Sequence, residues 1–348
     1  MTRRLYLDHA ATTPVLPTAR QAMADALDRW ANPSSPHAEG RAARRALEGA
    51  RDRIKAALGW QHELIFTGGA SEAAALAFGS AKMRRQLVSA VEHDAILRAA
   101  APGATILPVD ADGLIDPGHI DEPALAAIQA VNSETGVIQP MQPIADAVGS
   151  IGGVWLADCA QSAAKLPLPH ADMIIVSAHK LGGPPGVGAL LVRDLGLLAP
   201  TGGQERGYRG GTENLPAILG FAAALETRGS RDHLPALRER LDAGVRAAGG
   251  LVVANGSPRL PEIASYRLPG IAAVAQLIEL DAAGIAVSAG SACSSGSLKP
   301  SPVLTAMSWS ETAAREVIRV SLAPENTAAE VDRFLAAWSR IALRQTAA

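Results

Sequence analysis

Short apolar runs rich in β-branched residues recur along the chain, and each ends in a polar or glycine-rich stretch. Met173-Ile174-Ile175-Val176 is the clearest. It is too short for a helix and apolar throughout, so it reads as a buried strand. Ser177-Ala178-His179-Lys180 follows, and the glycines and prolines up to Gly188 demand a turn. Further strands are expected at Leu5–Asp8, Glu63–Thr67, Leu87–Val91, Thr105–Val109, Ala124–Val131 and Val154–Asp158. Between them the spacing becomes helical. Pro17 to Trp30 has apolar Ala19, Met23, Ala26, Leu27 and Trp30, a second helix runs from about His37 to Leu58, and an alanine-rich one follows Gly68-Gly69 through Phe78. Nearer the C-terminus, Glu239–Ala248, Ala272–Ala283 and Thr327–Leu343 read as helices and Val252-Val253 as a strand.

Strands alternating with helices, with polar residues gathered at the strands' C-terminal tips, predict an α/β fold. Its mainly parallel central sheet would be flanked by helices and bind a ligand at the carboxyl edge. Ser71, His93, Asn132, Asp158, Gln161, Ser177, His179 and Lys180 would face one crevice. A lysine at a buried strand's end is placed to be desolvated, which favours the neutral amine, a nucleophile toward carbonyl carbon. Strand, Gly68-Gly69 turn and helix start around Ser71 suit an anion, because free backbone N–H groups and the helix dipole converge there. Asp158 reads equally as an ion-pair partner or a helix cap.

Composition narrows the classes. The chain has 348 residues, 48% of them hydrophobic, and a formal net charge of −2. That fits a two-unit globular protein and supplies no basic field for nucleic acid. The arginines of the 37–58 segment read as a solvated helix face, since aromatic partners for bases are missing. No apolar run approaches a membrane span, and the start lacks the apolar core of a secretory leader. Two cysteines, Cys159 and Cys293, make no disulfide framework and suit the cytoplasm. Cys159 reads as a small core residue. Cys293 lies in a run, Ala289 to Ser297, too small and polar to pack a core, so its thiol would be accessible and able to ionise. No metal site is expected.

The stretches YLDHAATTP, NPSSPHAEGR, FTGGASEA, EHDA, VNSETGVIQP, ADCAQSAAK, SAHKLGGPPGVG, RGGTEN, GSACSSGSLKP and RVSL run from Tyr6 to Leu322. In this order the chain resembles the class V aminotransferase family of pyridoxal 5'-phosphate enzymes, with the PLP-dependent transferase (fold type I) architecture, and within it the cysteine desulfurases. The resemblance implies that Lys180 carries the cofactor and later shuttles the substrate's α-proton. Asp158 would pair with the pyridine nitrogen, His93 stack on the ring and Gln161 reach its phenolic oxygen. Ser71, Ser177 and His179 would hold the phosphate. Thr212 would reach the phosphate of a partner subunit, implying a homodimer with shared active sites. Arg319 would take the substrate carboxylate, with Asn132 also at the substrate, and Cys293 would accept sulfur from L-cysteine as a persulfide. The expected outcome is L-alanine plus sulfur for an acceptor protein, as in iron–sulfur cluster assembly.

Three departures stand out. Ser133 replaces an asparagine usual in relatives, Ala323-Pro324 replaces the glycine after the RxSL motif, and little chain follows Leu343, where relatives have a tail that docks scaffold proteins. The resemblance divides the chain into a large unit, 13–228, and a small one formed by 1–12 with 229–348. Alternatives are an aminotransferase or selenocysteine lyase acting on another small amino acid, and a non-catalytic binder of the cofactor.

Overall fold

The computed structural model describes residues 4–28, 30–290 and 300–346, with side chains as far as 343. In chain order its first part carries β1 (Leu5–Tyr6), α1 (Pro17–Leu27), α2 (Ala38–Leu58), β2 (Glu63–Thr67), α3 (Ala70–Ser80), β3 (Gln86–Ser89), α4 (Asp94–Ala99), β4 (Thr105–Leu107), β5 (Leu125–Ala127), α5 (Met141–Ser150), β6 (Val154–Asp158), β7 (Met173–Ser177), β8 (Gly188–Val192) and α6 (Leu215–Glu226). The rest carries α7 (Leu234–Ala247), β9 (Leu251–Val252), β10 (Ile263–Arg267), α8 (Ala273–Ala282), β11 (Ile285–Ala286), β12 (Ser288–Ala289), α9 (Pro302–Ala306), α10 (Glu311–Ala314), β13 (Val317–Ser321) and α11 (Ala328–Thr346).

A seven-stranded sheet in the order β2-β8-β7-β6-β5-β3-β4 forms the centre. Strands β3 to β7 pair in parallel, as the βα alternation predicts, but β8 lies antiparallel between β7 and β2. The reason is the short connection. Ten residues separate β7 from β8, with Gly182 and Gly186 at φ 77°, and that is a turn rather than a crossover helix. Two antiparallel steps restore the direction, so β2 points the same way as the parallel set.

The central strands are apolar on both faces because each face has its own core. Ile174 and Val176 of β7 pack with Trp155 and Ala157 of β6 on one side, while Met173 and Ile175 pack with Leu156 on the other. α2 brings Ala43, Leu47, Ala50, Ile54 and Leu58 to the first face, one helical stripe. Its arginines are mostly surface groups, Arg53 pairing with Glu226 and Arg44 with Glu48. Arg51 departs from that solvated face. It is buried, bonded to both carboxylate oxygens of Glu205 at 2.7 and 2.8 Å, and lies over the Phe66 ring. The pair holds Glu205 in a left-handed backbone conformation (φ 47°) and so anchors the loop leading to Thr212. The first helix ends at Leu27, short of the expected Trp30, whose side chain is 80% exposed.

A second core forms around the antiparallel sheet β12-β13-β10-β9, covered by α7, α8 and α11. Tyr266, Phe334 and Trp338 fill it, together with Leu5 and Leu7 from the N-terminus. β1 pairs with β11, and Asp8 forms a bridge to Ser321 at the end of β13. The segment after β1 thus runs along the seam between the two cores, toward the tip of β7.

Candidate active site

Because β2 and β3 to β7 share a direction, their C-terminal ends meet at one edge of the sheet. β4 leaves β3 on one side and β5 leaves it on the other, which opens a crevice between the divergent loops. A cavity of about 750 Å³ lies there, of a size that takes a cofactor-sized ligand. Its walls include Ser71, His93, Asp158, Gln161, Ser177, His179 and Lys180 from the central sheet's edge, and Arg319 from the second sheet.

Lys180 ends a single helical turn that follows β7, and its Nζ donates to the Ala10 carbonyl at 2.5 Å. The same carbonyl accepts from Gln161 Nε2 at 2.9 Å, so the N-terminal segment orients both side chains. Gln161 Oε1 is buried and has no partner among the described residues. Asp158 is the last residue of β6, and its Oδ1 accepts from the Ala160 N–H at 2.8 Å. Burial pushes the Asp158 carboxyl above its ordinary range, while that N–H, His93 and Lys180 pull the other way. His93 caps α4 by accepting from the Ala95 N–H at its Nδ1, which places its proton on Nε2. Burial holds the His93 pKa below normal, opposed by Asp158 and helped by Lys180. His179 Nδ1 lies 3.2 Å from Thr12 Oγ1, and burial, then Lys180 and His93, push its pKa down to about 4.

Across this group α3 begins. Gly69 has φ 141° and stands so close to Gly188 that a Cβ on the latter would lie 2.9 Å from the Gly69 Cα. The close approach lets the helix start point its first amides at the cleft beside Ser71. Arg209, of the RGGTEN stretch, pairs with Glu72 in that first turn at 2.6 Å. Thr212 is exposed and does not line this cleft. Asn132 is also absent from the wall. It is buried, its Nδ2 donates to the Val91 carbonyl, and its Oδ1 accepts from Glu134 N, Thr135 N and the Thr135 hydroxyl. Its neighbour Ser133 lines the cleft instead. Cys293 lies outside the described residues, while Gly290 and Pro300 on either side of that segment line the cavity. Cys159 is buried in the main core, where burial pushes its thiol up to about 12.

Arg319 sits mid-strand in β13, flanked by β12 and β10. Its Nη2 donates to Asp8 Oδ1 at 2.8 Å and its Nη1 to the Ser133 carbonyl at 3.0 Å, leaving a buried Nε without a partner among the described residues. Sequence reasoning missed Asp8, although it stands in the YLDHAATTP stretch, because the pairing spans 311 positions. It also missed Glu134, which lines the cleft, accepts from the Ser301 hydroxyl at 2.5 Å and keeps its proton more readily because it is buried. Glu92 went unread as well. Burial and the nearby Asp158 raise its carboxyl well above the ordinary range, and the Gln129 N–H holds one oxygen at 2.7 Å. A neutral carboxyl beneath an ionised one keeps two negative charges from meeting.

A pH dependence follows from the histidines. His9 and His179 both have pKa values near 4 in the fold, below the ordinary 6.5. The unfolded chain therefore binds more protons between pH 6.5 and 4, and stability is lost as pH falls through that window. Urea titration of the chain at pH 7 and pH 4.5 is expected to show a drop of at most about 5 kcal/mol from these two groups, about 2.4 each before solvent screening reduces it, with part of it removed in His9→Gln.

The class-V aminotransferase family model matches residues 5–334, and the chain belongs to that family. Among curated relatives, a cysteine desulfurase of Cereibacter sphaeroides is 39% identical, over 95% of this chain and 94% of its own length. Among solved structures, a NifS-like protein from Rickettsia africae ESF-5 has a TM-score of 0.87 at 30% identity, covering 97% of this chain and 99% of its own. A structure described as SspA in complex with cysteine has a TM-score of 0.81 at 31% identity, covering 93% and 100%. Among the described residues no helix is long and apolar enough to cross a membrane, and no cluster of metal-ligating side chains is present.

Proposed function

We propose that this chain is a cysteine desulfurase that uses pyridoxal 5'-phosphate. The observation that carries the reading is the meeting of two sheets at one cleft: an amine and a carboxyl at adjacent strand tips, Lys180 and Asp158, stand opposite a buried guanidinium, Arg319. A flat anionic cofactor with a ring nitrogen fits these residues. The α3 N-terminus, Ser71, Ser177 and His179 are available for a phosphate, Asp158 for the ring nitrogen, and the unpartnered Gln161 Oε1 for a protonated oxygen on the ring. His93, in the wall of the cleft, would lie against the face of such a ring. When bound, pyridoxal phosphate supplies an electron sink for the charge left at the substrate's α-carbon.

The chain's own residues do the rest. Arg319 binds the substrate carboxylate through the fork that Asp8 and Ser133 orient. Lys180 takes the α-proton and returns a proton to the carbon skeleton. The Cys293 thiolate attacks the substrate sulfur, a sulfur–sulfur bond forms as the carbon–sulfur bond breaks, and the bonding pair stays with carbon. Cysteine and a thiol thereby become alanine and a persulfide, with no external oxidant. The persulfide then serves a sulfur-acceptor protein such as those of iron–sulfur cluster assembly, in the cytoplasm, where thiols stay reduced. Thr212, exposed beside the Glu72–Arg209 pair, reaches the cleft of a second copy in a homodimer. We also assign the chain two units, 13–228 and 1–12 with 229–348, whose seam is the cleft.

Incubation with L-cysteine, the cofactor and a thiol is expected to yield alanine and sulfide in equal amounts. In Cys293→Ala, sulfur release falls by at least about 10²-fold, as for loss of a nucleophile, while an alkylating reagent blocks the same step in the parent chain. Undiminished sulfur release by Cys293→Ala would remove the thiol from its role. Faster exchange of alanine with a keto acid than sulfide release would instead mark an aminotransferase.

A further inference from the structure

A second cavity, of about 60 Å³, lies behind the wall formed by Ala10 and Lys180, which also line the cleft. It has room for roughly four waters or one small polyatomic ion. Four cationic side chains line it: Lys180, shared with the cleft, Lys165 from the turn after β6, and Arg228 and Arg231 from the segment between the two cores. Arg231 is paired with Glu262. Lys165 and Arg228 have no carboxylate within 4 Å among the described residues. The Arg228 guanidinium donates to the carbonyls of Leu225 and Ala164 only, and Lys165 Nζ has no hydrogen bond there. Glu325, the other carboxyl in the lining, is exposed at the mouth.

Two further polar atoms of this cavity, His9 Nδ1 and Glu262 Oε2, are buried with no partner among the described residues, and the carboxylate oxygen calls for a donor such as a water beside any bound anion. Something polar is therefore missing from the lining's hydrogen-bond inventory. Water would satisfy hydrogen bonds but leave Lys165 and the half-buried Arg228 without a paired counter-charge, which is the costlier deficit. The uncompensated charge is visible in the neighbours' acidity. Burial, and then the two arginines, push Lys165 down to about 8 even though Glu262 pulls the other way, and burial followed by Arg231 lowers Arg228. The wall is also strained, since Ala164 has φ 58° and is held there through its carbonyl by Arg228. Ala323 and Pro324 form part of the lining.

We propose that this cavity is a binding site for a small inorganic anion, between chloride and a tetrahedral oxyanion in size, held by Lys165 and Arg228. The anion ties together four stretches: the turn after β6, the 228–231 link, the end of β13, and the His9–Thr13 segment whose Ala10 carbonyl orients Lys180 and Gln161. It thereby stiffens the back of the cleft from outside it.

The test uses the cofactor-saturated protein at pH 7 and constant ionic strength, with potassium gluconate replaced stepwise by chloride, sulfate or inorganic phosphate. At least one of the three is expected to raise the unfolding temperature saturably, by about 3 °C or more, and Lys165→Met is expected to lose that rise. A rise that never saturates and persists in Lys165→Met is a general salt effect and overturns the site, as does no rise with any of the three. Should Lys165→Met not fold, crystals of the parent chain soaked in bromide or selenate decide. An anomalous peak between Lys165 and Arg228 supports the site, and density for water alone refutes it.

Discussion

Lys180→Ala is expected to lower alanine production from L-cysteine by at least about 10⁴-fold, because one amine both attaches the cofactor and moves the α-proton. The geometry explains why no neighbour substitutes for it. The side chain leaves a tight turn at the tip of β7, and the Ala10 carbonyl aims it at the seam between the cores. Asp158 and His93 are near enough to feel its charge, whereas the other ring-side groups are histidines, an amide and hydroxyls, none of which forms a stable covalent link to an aldehyde. Lys180→Arg keeps the charge but cannot release a proton near neutrality, so it is expected to be equally inactive. Single-turnover alanine assays check both variants, and activity within about tenfold of the parent would remove Lys180 from its role.

Arg319→Ala is expected to lower kcat/KM for L-cysteine by about 10²- to 10³-fold, the loss typical when one member of a desolvated charge pair is removed. KM should carry most of the change, because the carboxylate is bound before and during the chemistry alike. Asp8 makes the prediction sharper. It now occupies one nitrogen of the fork at 2.8 Å, and the Nε edge is buried and unpartnered. Asp8→Asn should keep the hydrogen bond and weaken the charge pairing, raising affinity for small carboxylates while loosening the fork's orientation. Steady-state kinetics with L-cysteine, and inhibition by L-alanine, separate the two effects. An unchanged KM in Arg319→Ala would place the substrate carboxylate elsewhere.

Much of this site could be read in the chain because strand-tip chemistry is local in sequence. β2, β6 and β7 begin and end where their apolar runs do, and Ser71, His93, Asp158, Gln161, Ser177, His179 and Lys180 follow those runs closely enough that the sheet's direction alone gathers them. What could not be read depends on long-range partners. Nothing near Arg51 marks it as different from the solvated arginines of α2; Glu205, 154 positions away, buries it. Asp8 and Arg319 meet across 311 positions. Asn132 carries the right chemistry for the cleft, yet its turn takes its amide oxygen, because Glu134 and Thr135 present N–H groups at hydrogen-bond distance, and its Nδ2 is turned to the Val91 carbonyl. The antiparallel β8 was hidden for another reason. Its apolar run, Gly188–Val192, has the same composition as a parallel strand, and only the length of the turn before it sets the direction.

Borohydride reduction of the cofactor-loaded protein, followed by peptide mapping, tests the central assignment most directly. Lys165 is the telling competitor, being the other lysine near the seam and already pushed to a pKa of about 8. The account predicts the phosphopyridoxyl mass on Lys180 and on no other lysine. The same mass on Lys165, or no covalent attachment under conditions where the cofactor is bound, would contradict it.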